Sequence, residues 1–374
     1  MKKKVLANCI LKIEAQMFYR EAGQFKTSYI ADGQIFPIRQ DRIAIALLLL
    51  VAFVLIPMVG TEYWFSAILI PFLVLALAAL GLNLLTGYAG QLSLGSAAFM
   101  AVGAYAAYNF QLRIEGIPIL ASFALAGLCS AAVGVLFGLP SLRIKGFYLA
   151  VATLAAQFFV VWVLTKFAWF SDNSSSGVIS AQKVVILGYA FNTPAKTYLF
   201  VLAIVSLMAL AAKNIVRSST GRAWMAVRDM DVAAEVIGIP LMRTKLLAFA
   251  VSSFYCGVAG ALYAFCYLGS VEPDGFSLEL SLRILFMIII GGTGSILGAF
   301  LGSAFILLLP IFLDHSLPPL AELLHLPMRS ESISHIQSML FGGLIIFFLI
   351  AEPHGLARLW QIGKEKLRLW PFPH

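Results

Sequence analysis

The stretch "FSAILIPFLVLALAALGLNLLT", Phe65 to Thr86, contains no Asp, Glu, Lys or Arg. About 20 residues at about 1.5 Å rise each cross the roughly 30 Å hydrocarbon core of a bilayer. Inside lipid the backbone must satisfy its own hydrogen bonds, and an unbroken apolar run of this length does so as a helix. Reading outward, comparable runs occur at Ile43 to Val59, Leu92 to Gln111, Ile117 to Leu139, Gly146 to Thr165, Tyr198 to Ala212, Leu246 to Leu268, Ile284 to Leu313 and Ile333 to Ala351. The run at Ile284 to Leu313 is too long for one crossing and holds "GGTGS" at its middle, so it reads as two segments joined by a turn. The expected fold is an all-α polytopic integral membrane protein with about ten transmembrane segments.

Composition agrees. Of 374 residues, 61% are hydrophobic and 12% charged, too little charge to clothe a soluble domain of this size. The net charge of +8 does not indicate nucleic acid, because most of the 26 Lys and Arg cluster in alternate loops. That is the pattern of a cytoplasmic side. It makes 1–42 a cytoplasmic N-terminal extension, 43–351 the membrane domain with a polar cytoplasmic loop at 213–245, and 352–374 a cytoplasmic tail. Both termini lie inside. An outer loop, "VEPDGFSLEL", carries Glu272, Asp274 and Glu279 and no basic residue. The leader "MKKKVLANCILK" is not read as a signal peptide, since Lys12 and Glu14 interrupt its apolar run.

Several chemistries are missing from the sequence. There is no GxxxxGK[ST] phosphate loop, HExxH, CxxC or nucleophile elbow, so neither an ATPase site nor a hydrolytic enzyme is expected. Cys9, Cys129, Cys256 and Cys266 have no metal spacing and read as packing residues. His315, His325 and His335 recur at a spacing that fits no helical face, and no metal or cofactor is expected. The spans carry no charges at their centres, which disfavours ion-driven secondary transport.

Small residues supply the packing. Ser130, Gly134 and Gly138, and likewise Gly294, Gly298 and Gly302, repeat at four-residue steps that let helices approach closely in lipid. In "LTGYAGQLSLGSAAFMAVGAYAAY", Gly87, Gly90 and Gly95 weaken the helix at its entry, and an interrupted helix is expected. Its freed amides, with Gln91, Ser93 and Ser96, could meet a solute. Thr153 and Gln157 lie four apart on one face of a later span and could join that path, or make a static helix-to-helix hydrogen bond. "LGSAAF" at Leu94 to Phe99 is echoed by "LGSAF" at Leu301 to Phe305, a hint of an internal inverted repeat.

The polar island "GRAWMAVRDMDVAAEVIGIPLMRTK", Gly221 to Lys245, is longer than a connector needs. Trp224, Val227, Ala234 and Ile237 define an apolar stripe, with Arg222, Arg228, Asp229, Asp231 and Glu235 on the other face. Gly238, followed by Pro240, marks a helix stop. The island reads as a docking element.

Within it "VAAEVIG" resembles the EAAxxxG loop by which permease subunits of bacterial ABC importers engage their ATPases. Ala233, Ala234 and Gly238 match; Val232 stands where that loop begins with Glu, and Asp231 precedes it. "LGLNLLTGYAGQLSLGSAAF", "GLPSLRIKGFYLAVATLA", "GRAWMAVRDMDVAAEVIGIPLMRTKLLAF" and "IIIGGTGSILGAFLG" resemble, in order, the M-type permease of branched-chain amino acid importers, and "EPHGLARL" resembles its RPxGL ending. The resemblance implies a heterodimer with an H-type permease, two cytoplasmic ATPases, an extracytoplasmic binding protein, and the bacterial cytoplasmic membrane. It also implies coupling through Arg228, Asp231, Ala233, Ala234, Glu235 and Gly238. The candidate solute path comprises Gly90, Gln91, Ser93, Ser96, Thr153 and Gln157. Ser96 stands where the family often has His, and related permeases carry urea, amides and other small solutes on the same framework. A self-sufficient channel is the rival reading.

Overall fold

The structure is a computed structural model that describes residues 39–142, 146–172, 178–180, 185–186, 189–190, 193–323 and 355–369, with parts of 339–350. Among these residues the chain is mostly helical, with four two-residue strands and the loops and turns that join these elements. Among the described residues seven helices are long and apolar enough to cross a membrane: Asp41–Val59, Trp64–Tyr88, Ile119–Gly138, Tyr148–Lys166, Pro194–Arg217, Leu241–Leu268 and Ile296–Leu313.

Seven is fewer than the sequence led us to expect, and each difference has a cause. Helix Ser96–Arg113 has the length, but Tyr105, Tyr108, Asn109, Gln111 and Arg113 make it too polar to qualify. Ile284 to Leu313 does divide at "GGTGS", but its first half belongs to the 14-residue helix Leu278–Gly291, too short to span alone. The expected span Ile333 to Ala351 falls largely outside the described residues.

In chain order the described α-helices of six residues or more are α1 (Arg39–Leu50), α2 (Ile70–Asn83), α3 (Ser96–Arg113), α4 (Ile119–Gly138), α5 (Phe147–Lys166), α6 (Pro194–Arg217), α7 (Ser219–Asp229), α8 (Asp231–Val236), α9 (Leu241–Leu262), α10 (Leu278–Gly291), α11 (Ile296–Leu323) and α12 (Gly355–Leu369). Wider π-helical turns extend α1, begin and end α2, and end α9. Strands β1 (Ile179–Ser180) and β4 (Ser270–Val271) pair antiparallel, Ile179 opposite Val271, and β2 (Val185–Ile186) pairs with β3 (Tyr189–Ala190).

The chain forms two compact units, Gly60–Leu356 and a second comprising Met1–Val59 with Ala357–His374. In the second, Lys364 on α12 forms an ion pair with Asp41 on α1. In the first, α2 and α9 are the inner helices: 83% and 67% of their apolar windows are buried. Lipid gives no hydrophobic drive for helix association, so close packing must hold them. α9 meets α4 through the expected small residues, since side chains at Gly134 and Gly138 would collide with Ser253 and Phe249. Ser130 lies in the same seam and donates to the Phe99 carbonyl at 2.9 Å, tying α4 to α3. Across α9, Gly260 packs directly on the Met100 carbonyl of α3. The Tyr255 hydroxyl donates to the Met208 carbonyl at 2.9 Å and joins α9 to α6. Gly298 and Gly302 sit against α10, whereas Gly294 belongs to the turn, with φ +76°. Cys129, Cys256 and Cys266 are unbridged, half-buried or buried side chains; Cys9 lies outside the described residues.

Candidate functional site

The chain leaves helical geometry where the glycines foretold it. A wide turn at Leu84–Tyr88 gives way to non-helical backbone from Ala89 to Gly95, and α3 starts at Ser96. Gly90 takes φ +68°, a conformation other residues adopt only with strain. At Gly87 a side chain would strike the backbone nitrogen of Gly294, so this glycine lets the "GGTGS" turn pass against the interrupted segment.

A helix start leaves its first amides without intrahelical partners. Here other helices supply them. The Leu94 N–H donates to Thr153 Oγ1 at 2.9 Å, Ala97 N–H to Ser281 Oγ at 2.9 Å, and Ala98 N–H to Gln157 Oε1 at 2.6 Å. Ser281 also donates to Gln157 Oε1 at 3.2 Å, and Gln157 Nε2 donates to the Phe276 carbonyl at 2.8 Å. Thr153 and Gln157 therefore share a face, as their spacing requires, and that face caps α3. Ser281 was not singled out from the sequence; nothing distinguishes its serine from the others in apolar runs until the fold brings α10 alongside.

The remaining path residues differ. Ser93 Oγ accepts from Gly95 N–H at 3.3 Å. Ser96 Oγ and both side-chain polar atoms of Gln91 are buried and have no hydrogen-bond partner. Burying such groups unpaired costs about 1–3 kcal/mol each.

Three stretches distant in sequence meet beside Gly87. Asn83 clamps the turn after α10: its Nδ2 donates to the Ser295 carbonyl at 2.7 Å, and its Oδ1 accepts from Gly294 N–H at 2.9 Å. Arg228, at the end of α7, donates from Nη1 to the Gly87 carbonyl at 2.9 Å and pairs with Asp229 at 2.9 Å. The polar island is thus fastened to the interrupted segment by a charge-assisted bond.

The island itself departs from the expected single helix. Met230 is extended, at φ −153° and ψ 99°, and splits it into α7 and α8. Trp224, Val227 and Ala234 are buried, and Trp224 Nε1 donates to the Thr244 carbonyl at 3.1 Å, seating α7 on α9. Ile237 does not continue the stripe. It is 73% exposed, because the break at Met230 resets the helical phase. The stop at Gly238 forms as expected, with φ +89°, Gly238 N–H on the Glu235 carbonyl and Ile239 N–H on that of Ala234. Ala233, Glu235 and Gly238 are exposed, and so are Met230, Val232, Val236 and Met242. Ala234, expected at the docking surface, instead faces inward.

Between α7, α8 and the interrupted segment lies a cavity of about 380 Å³, lined by Gly90, Gln91, Leu149, Arg228, Asp231 and Lys245 among others.

Residues 64–349 match the family described as the branched-chain amino acid transport system permease component. The chain belongs to this family. The matched segment nearly coincides with the compact unit Gly60–Leu356, so the permease component is the unit that holds the interrupted helix and the polar island. The chain is 28% identical over 300 residues to the high-affinity branched-chain amino acid transport system permease protein LivM of Salmonella typhimurium, covering 74% of this chain and 66% of that protein. It thus spans just under two thirds of that relative's length. A probable branched-chain amino acid transport permease protein LivM of Methanocaldococcus jannaschii is 25% identical over 327 residues, 78% of this chain and 92% of its own. The autoinducer 2 import system permease protein LsrC of an Enterobacter species is 28% identical over 212 residues, 55% of this chain and 57% of its own. No solved structure matches the chain.

Proposed function

We propose that this permease component is the translocating subunit of an ABC importer, carrying a branched-chain amino acid or similar small solute inward across the bacterial cytoplasmic membrane. It has no ATPase site of its own and is driven by two cytoplasmic ATPases, fed by an extracytoplasmic binding protein, and paired with an H-type permease. The observation that carries the reading is the Arg228 bond to the Gly87 carbonyl. Through it, a movement imposed on the exposed α7–α8 element reaches the interrupted segment, where the membrane helix is already unwound. Positive charge around 213–245 puts that element on the cytoplasmic side, where an ATPase would be. Ala233, Glu235 and Gly238 then face the ATPase, Ala234 holds α8 against the body of the protein, and Arg228 and Asp231 link the two.

The test is the assembled importer in proteoliposomes. Arg228→Ala is expected to leave ATP hydrolysis within about twofold while uptake falls roughly tenfold or more, a loss of about 1.4 kcal/mol in coupling. Unchanged uptake per ATP would remove Arg228 from the coupling route. The chain alone in vesicles should show no flux; solute movement without partners or ATP would favour a channel.

A further inference from the structure

We propose that α12 is an interfacial helix, its exposed apolar face seated in an anionic lipid surface at the cytoplasmic end of the span Asp41–Val59. In "GLARLWQIGKEKLRL", Leu356, Leu359, Trp360 and Gly363 recur at three- and four-residue steps and so share one face. Among the described residues nothing closes over that face. Leu359 is 46% and Trp360 60% exposed, and a side chain at Gly363 would meet no atom within 4 Å.

Charge indicates what covers it. Over Gly355–Leu369 the sequence has Arg358, Lys364, Lys366 and Arg368 against a single acid, Glu365. Lys366 comes seven residues after Leu359 and borders the apolar face on one side; Lys364, four after Trp360, borders it on the other. A basic helix with aliphatic and aromatic residues on its bare face lies in the plane of a membrane interface. Its apolar groups enter the acyl boundary, and its long basic side chains reach the phosphates.

The fold sets the depth. Lys364 forms an ion pair with Asp41, and Asp41 is the first residue of the span Asp41–Val59. The first residue of a span lies at the level of the headgroups, so the pair holds α12 there rather than out in water. Only 6% of that span's apolar window is buried, so this compact unit already offers an apolar surface to lipid. The basic surplus of this tail and of 213–245 puts α12 on the cytoplasmic side, where anionic headgroups attract Lys and Arg. An acidic protein partner would match the charge, but it would have to reach a helix already held at headgroup depth. The assignment needs only that Asp41–Val59 crosses the bilayer, and it is independent of the importer reading.

The experiment uses the full chain in lipid nanodiscs, with its four cysteines replaced by alanine and a nitroxide spin label introduced through Gly363→Cys or Glu365→Cys. Glu365, two residues on, lies on the opposite face. Collisions with oxygen, which concentrates among acyl chains, and with a water-soluble nickel chelate are read by EPR power saturation. In discs containing phosphatidylglycerol, the oxygen-to-nickel ratio should be at least about fivefold higher for the Gly363 label than for the Glu365 label. Discs of phosphatidylcholine alone, or Lys366→Gln combined with Arg368→Gln, should lower the ratio at the Gly363 label by about twofold or more. Equal ratios at the two labels would place α12 in water, and a Gly363 label shielded from both reagents would place protein over it. Either result overturns the proposal, as would indifference to both lipid charge and the paired substitution. If the cysteine-free chain does not fold, hydrogen exchange of residues 356–366 in the unsubstituted chain carries the test. Exchange should be about tenfold or more slower in phosphatidylglycerol discs than in phosphatidylcholine discs, and equal exchange would overturn the anionic surface.

Discussion

Gln157 answers three groups at once: the Ala98 amide that begins α3, the Ser281 hydroxyl on α10 and the Phe276 carbonyl in the turn before it. A side chain so placed fixes the position of a half-helix, and replacing it with an apolar one leaves a buried N–H and a buried carbonyl unpaired. Gln157→Leu is therefore expected to destabilise the protein by about 1–3 kcal/mol. A fall in the thermal unfolding midpoint of the purified chain checks this. In the assembled importer the same substitution should slow uptake several-fold while half-saturation moves less than about twofold, because apparent affinity then reflects capture by the binding protein rather than this cap. A large shift in half-saturation with unchanged rate would instead make Gln157 a solute-binding group. The spacing of Thr153 and Gln157 was enough to put them on one face, but periodicity cannot tell what that face meets. Only the fold shows that these polar groups hold protein amides, while the Gln91 amide and the Ser96 hydroxyl, which looked no different in sequence, are left unpaired.

In the α7–α8 element the apolar surface and the buried surface are different sets of residues. Trp224, Val227 and Ala234 anchor it, whereas Met230, Val232, Val236 and Ile237 are exposed beyond the membrane spans. A cluster of exposed apolar groups on a segment outside the spans marks an interaction surface. Val236 is 83% exposed, so Val236→Asp should leave the unfolding midpoint of the isolated chain within about 1 °C, since surface substitutions rarely exceed about 0.5 kcal/mol. The same change should abolish co-purification with the ATPases, because a desolvated carboxylate at the centre of an interface costs several kcal/mol. Retained co-purification would move the docking surface elsewhere. This element also marks the limit of what the sequence could tell. Gly238 with Pro240 announced the stop, because a left-handed residue and a residue lacking an amide act locally. The break at Met230 has no such signal. "RDMDV" has no glycine or proline, so the stripe was carried through in one phase and Ile237 was assigned to the wrong face. Long apolar runs were legible for the opposite reason, since span length and composition decide them without reference to neighbours. Where a helix is short, as α10 is, or polar, as α3 is, its state depends on what packs around it, and the sequence count exceeded what these helices support by themselves.

At the scale of the whole molecule, the question is whether the small-residue seams are fixed packing or surfaces on which helices slide during transport. The glycines of α9 argue for the first. A methyl group at Gly260 would meet the carbonyl of Met100, a backbone atom locked in α3, and one at Gly257 would meet the Ser130 side chain on α4, which itself donates to the Phe99 carbonyl. That hydrogen bond holds α3 and α4 to each other, so the two surfaces on which the α9 glycines pack are fixed with respect to one another. The inner bundle of α2, α3, α4 and α9 should then move as one body, with change concentrated at the interrupted segment and its Arg228 fastening. Gly260→Ala tests this, because overpacking a fixed seam costs about 1–3 kcal/mol of stability. The expected result is a lower unfolding midpoint and less folded importer, with the uptake rate per folded complex within about twofold of the parent. A fully folded, equally stable Gly260→Ala complex that transports several-fold more slowly would mean that the seam is a sliding surface, and that the conformational cycle runs through the core rather than around it.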